Sequence, residues 1–225
     1  MAAPGPEFGE GVLGRITARV YWYLVVGVLT ALGCAPALVL LALLDRSTGN
    51  ALLVPLCLLP AAPFLAAAVF ALRARADAED LAPTTAFGRG LRTGWLDVLR
   101  LWAPATVVLG VLLTSVVHRE AAGISTVYAV VLGLLGVVVL LWAVQALVLA
   151  ALFSFRTRDV ARLSLYYLGS RPRVTVGLLA LVVVAGGVVW LAGELVLALV
   201  AVIWAAFLLR TAQPVLDDVR ARFVA

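Results

Sequence analysis

The chain has 225 residues, 64% hydrophobic and 13% charged, with a formal charge of +5 and a mean hydropathy of +1.13. A soluble domain is nearer half apolar and a quarter charged, so an aqueous surface could not be covered. The surplus lies in continuous runs of about 20 residues, the length that crosses a ~30 Å hydrocarbon core, and such runs exclude a barrel of alternating ten-residue strands.

The chain has no lysine, so every positive charge is arginine, and nearly all arginines flank apolar runs. Topology accounts for them, and no nucleic acid partner is expected. The two cysteines, Cys34 and Cys57, sit inside apolar runs and read as small hydrophobes, not a disulfide or metal framework.

Residues 1–11, MAAPGPEFGEG, read as a disordered tail. Val12, Leu13, Ile16 and Val20, separated by Arg15 and Arg19, suggest a short amphipathic lead-in at the membrane interface. A first span follows over 21–44, too long for the apolar core of a signal peptide. Tyr21, Trp22 and Tyr23 mark its headgroup end, and Pro36 removes a backbone donor near its middle.

The second span, 51–72, carries Pro55, Pro60 and Pro63, which argues for a kinked helix or for broken geometry around a binding site. After a long polar loop, further spans are expected over 98–117 and 124–153. A second polar loop follows, and the apolar stretch 174–209 divides at Ala192, Gly193 and Glu194 into spans 174–191 and 194–209. Residues 210–225 read as a C-terminal tail.

The arginines support this threading independently. The N-terminus, second loop, fourth loop and tail hold 2, 5, 5 and 3 of them, and the intervening loops 1, 1 and none. Their asymmetry predicts an all-α polytopic protein, a six-helix transmembrane bundle with both termini cytoplasmic.

The two arginine-bearing loops share a construction. Paired arginines (Arg73 and Arg75; Arg156 and Arg158) precede acidic residues, then an amphipathic piece, then a turn into the next span. One register of GLRTGWLDVL against YLGSRPRVTV sets Gly94 against Arg171, a register shifted by a couple of residues matches nearly as well, and Thr93 and Ser170 are N-cap candidates. Two cytoplasmic elbows are expected, resting on lipid through Phe87, Leu91, Leu163, Tyr167 and Leu168. Candidate contacts to headgroups or a partner are Arg73, Arg75, Phe87, Arg89, Arg92, Trp95, Arg156, Arg158, Tyr167, Arg171 and Arg173.

Catalytic residue patterns are missing. His118 lies in an outer turn, and no HExxH, P-loop, GxSxG or CxxC motif occurs; no enzyme activity, cofactor or metal is expected. Within the spans Gln145 is the most polar side chain, accompanied by Thr30, Thr106 and Thr114, and is expected to hydrogen-bond across a helix interface or to contact a solute. Pro36, Pro55, Pro60, Pro63 and Gln145 are the intramembrane positions to watch.

The segment PAAPFLAAAVFALR at 60–73, followed by an acidic stretch and FGRGLRTGW at 87–95, resembles the YesL-like family of small bacterial integral membrane proteins. The family's first span carries an Asn, a Trp three later and a Pro six beyond that; Gly27, Thr30 and Pro36 stand there here, so the proline is kept. The resemblance implies a multi-pass protein of the bacterial cytoplasmic membrane, associated with carbohydrate uptake. Two functions are then expected in competition: a noncatalytic accessory protein whose partners are lipids and a transporter or other membrane protein, or a small transporter for an uncharged or weakly polar solute.

Overall fold

A computed structural model describes residues 12–45, 47–77, 82–123 and 125–223, without the side chains of 12, 13 and 15. The chain is an all-α polytopic membrane protein. Its helices are α1 (Val12–Leu43), α2 (Leu53–Cys57), α3 (Ala61–Ala76), α4 (Pro83–Val117), α5 (Thr126–Leu152), α6 (Thr157–Ser170), α7 (Pro172–Ala192) and α8 (Glu194–Phe223), with one 3-10 turn at Thr48–Asn50. Five of them, α1, α4, α5, α7 and α8, are long and apolar enough to cross a bilayer.

The expected second span is present in pieces. Pro55, Pro60 and Pro63 lack the N–H that an α-helix requires, so α2 stops after five residues and α3 starts with Pro60 as its N-cap. Tight turns recover the freed groups: the N–H of Leu58 donates to Pro55 O at 3.2 Å and that of Ala61 to Leu58 O at 3.2 Å. Such local repair is what backbone at membrane depth demands. Close packing holds the broken segment, because a Cβ on Gly110 of α4 would lie 2.5 Å from Leu52 O. By contrast, Pro36 sits on the exposed side of an uninterrupted α1.

α3 lies at the centre, packed against α1, α4, α5 and α8. Ala66, Ala67, Ala68, Ala71 and Ala74 are all buried, and small residues of this kind let helices approach where lipid supplies no hydrophobic drive between them. Gly33 shows how close the approach is: a Cβ there would stand 2.1 Å from Phe64 Cδ1 of α3. Large apolar side chains cover the outside instead, including Leu24 and Val28 on α1, Val130 and Leu134 on α5, and Val183 and Trp190 on α7.

Four boundaries differ from the sequence reading. No break separates the lead-in from the first span: Ile16, Val20, Leu24 and Val28 form one exposed stripe along α1. The first elbow is not a separate piece, since α4 runs without a turn from Pro83 to Val117, and Thr93 caps nothing; its hydroxyl donates to Arg89 O at 2.9 Å within the helix. Ser170 ends α6, and Arg171 occupies the N-cap of α7. The C-terminal tail continues α8 through Pro214 to Phe223. The division of 174–209 does fall at Gly193, whose φ of 88° suits a residue without a Cβ. The N-terminal tail lies outside the described residues.

Candidate functional site

The C-terminal third of α8 joins the two polar loops into one face. Ala212, Val215, Leu216 and Val219 are buried at helical spacing, which presses this segment onto the bundle. On its flank, Asp218 accepts hydrogen bonds from the Tyr167 hydroxyl at 2.7 Å and from an Arg171 guanidinium N–H at 3.1 Å, and pairs with Arg222 Nε at 3.2 Å. Asp77, at the end of α3, accepts from Arg73 Nε at 2.9 Å and from Arg220 at 3.3 Å. Phe155 stacks on Phe153 at 5.4 Å between ring centroids and meets Phe223 edge-on at 6.4 Å.

Tyr167 is buried on α6, and burial, with the adjacent Asp218 as hydrogen-bond acceptor and charge, pushes its hydroxyl up to about 12. The neutral phenol is therefore the form that holds α8. α6 is further tied to α5 by Trp142, whose indole N–H donates to Ala161 O at 3.0 Å, and to α7 by Thr175, whose hydroxyl donates to Leu168 O at 2.6 Å.

These contacts redistribute the candidate residues. Arg73 and Arg171 are engaged in ion pairs. Arg75 donates to Arg19 O at 3.1 Å and lies over the rings of Trp22 and Tyr23 at 5.7 and 6.0 Å, so its charge serves the fold. Phe87 and Tyr167 belong to the core, not to a lipid-facing side; Leu91, Leu163 and Leu168 are half-buried against it. The side chains left at the surface are Arg89, Arg92, Trp95, Arg156, Arg158 and Arg173, together with Leu165 and Tyr166 on the outer side of α6.

Asp77, Asp218, Arg220 and Arg222 were not among the sequence candidates. The signal for them was legible as i,i+4 spacing of Asp218 with Arg222 beside the apolar period 212, 215, 216 and 219. Pro214 obscured it, because a proline normally ends a helical pattern.

The intramembrane polar positions do not converge. Thr30, Thr106 and Thr114 each donate to a carbonyl of their own helix, Val26 O, Ala103 O and Gly110 O. Gln145 is enclosed, and among the described residues neither atom of its amide has a hydrogen-bond partner, so the expected cross-helix hydrogen bond is not seen there. His118 caps α4, its ring Nδ1 3.1 Å from Thr114 O. A separate apolar cavity of about 320 Å³ opens between α1, the broken α2–α3 segment, α4, α7 and α8; Gln145 does not line it.

Comparisons with protein-family models, curated proteins and solved structures find no match.

Proposed function

We propose that the protein is a noncatalytic accessory component of the bacterial cytoplasmic membrane, with both termini cytoplasmic and the arginine-bearing face available to a membrane transporter. In this reading the α2–α3 segment completes a sixth crossing, which returns the chain to the arginine-rich side after each pair of spans. One observation carries the reading: Asp77 and Asp218 lock the loop arginines nearest the bundle into α8, while Arg92, Arg156, Arg158 and Arg173 stay at the surface. A rigid platform bearing exposed cations loses little conformational freedom on docking. Leu165 and Tyr166 sit beside it as the side of α6 that meets lipid. The link with carbohydrate uptake rests on the YesL-like resemblance alone.

The experiment is chemical crosslinking in native membranes, then purification of the wild type and of an Arg92→Ala, Arg173→Ala double variant that inserts equally well. Recovery of a transporter subunit with the wild type and its loss with the variant is expected. A monomer that captures no transporter subunit reproducibly sinks the proposal.

A further inference from the structure

The cavity on the opposite side of the molecule has a definite chemical character. Its walls are apolar, formed by side chains such as Leu38, Leu58, Leu65 and Ala198, and Glu194, the first residue of α8, is the one acidic residue that lines it. Among the described residues Glu194 makes no ion pair, and Trp102, another wall residue, is 9% exposed with an indole N–H that has no acceptor. From Glu194 to Trp204 the wall descends ten residues of α8, about 15 Å at 1.5 Å per residue, which is half of a ~30 Å hydrocarbon core.

We propose that this cavity binds one hydrocarbon chain of a cationic membrane amphiphile from the leaflet on Glu194's side, with the ammonium head paired to Glu194. Three physical arguments select this occupant. Apart from Glu194 and the Trp102 indole N–H, the lining is apolar and offers water too few polar partners to fill it, so hydrocarbon fills it. A volume of about 320 Å³ accommodates roughly ten groups the size of a water at about 30 Å³ each, which suits a single chain confined to one leaflet. The lone carboxylate then favours a cationic head over a neutral or anionic one, in surroundings where ionic attraction is weakly screened. The broken geometry of α2–α3 gains a purpose here, because Val54, Leu58 and Ala61 bring its wall to the cavity. This site is independent of the arginine-bearing face and of any partner there.

The test is photolabelling of the full chain in phosphatidylcholine nanodiscs with a dodecylamine that carries a diazirine in its chain. Labelling of 34–41 and 197–204 is expected to saturate and to be competed by dodecylamine about tenfold better than by dodecanol, a difference of 1.4 kcal/mol, with dodecanoate weaker still. Glu194→Gln, a change at the first residue of α8, should abolish the preference for amine over alcohol while leaving saturable labelling in place. Ala198→Phe should remove the saturable labelling by filling the space. Labelling that never saturates overturns the site, and a preference for the amine that survives Glu194→Gln overturns the pairing.

Discussion

The two arginine-bearing loops were built from the same sequence pattern and fold differently. In the first, polar residues wind directly into the membrane helix, and α4 runs unbroken for 35 residues. In the second, α6 ends at Ser170, the chain turns at Arg171 with φ −122° and ψ 69°, and α7 begins at Pro172. At the aligned positions Trp95 faces Pro172. A tryptophan continues a helix, whereas a proline lacks the N–H, clashes with the preceding turn and biases the residue before it away from helical geometry. A proline at the start of α7, with Arg171 outside helical geometry before it, accompanies the corner that the first loop lacks. The glycines then settle what each piece can touch: a Cβ on Gly90 would lie 2.8 Å from Phe70 Cβ, whereas one on Gly169 would meet nothing within 4 Å.

Trp95→Pro tests this contrast most severely. It should kink α4 near its first third, at a cost of about 3 kcal/mol or more, seen as a lower unfolding temperature. The reverse change, Pro172→Ala, should leave the second corner in place, because Arg171 and Tyr167 remain bound to Asp218; a spin-label distance across α6 and α7 that lengthens on this change would show that proline alone makes the corner.

Smaller effects sharpen the same comparison. Gly90→Ala should destabilise by about 1–3 kcal/mol through overpacking against Phe70, while Gly169→Ala should be neutral or stabilise by up to about 1 kcal/mol, the helix preference for alanine. Equal thermal shifts for the two would contradict the packing difference. Thr175→Val removes the hydroxyl that bridges α7 to Leu168 O, and a loss of about 1 kcal/mol is expected in denaturant unfolding.

A separate effect is a pH dependence that arises in the second loop. Because the Tyr167 hydroxyl is raised in the folded protein from 10.0 to about 12, its contribution to stability is complete below 10 and is lost as pH climbs toward 12. Tyr167→Phe should flatten the stability profile in that window, measured against the wild type by unfolding at each pH. The first loop contains no tyrosine and provides the internal control.

Much of the architecture was determined by sequence alone. Long apolar runs specify membrane helices because unpaired backbone polar groups are costly in lipid, and only a helix pairs them within one segment. The break at Gly193 was legible because Glu194 interrupts the apolar run there. The prolines were less transparent: the second span divides at Pro60, yet Pro36 and Pro214 ride on uninterrupted helices, since a proline's missing hydrogen bond and bulk can be absorbed on an exposed side. Tertiary structure alone decided which arginines are spent on the fold, that Phe87 and Tyr167 face the core, that α8 reaches back to close both loops, and that the broken second segment borders a cavity also lined by Glu194. Those outcomes depend on residues far apart in the chain meeting at hydrogen-bond or van der Waals distance, and neither periodicity nor composition carries information about such meetings.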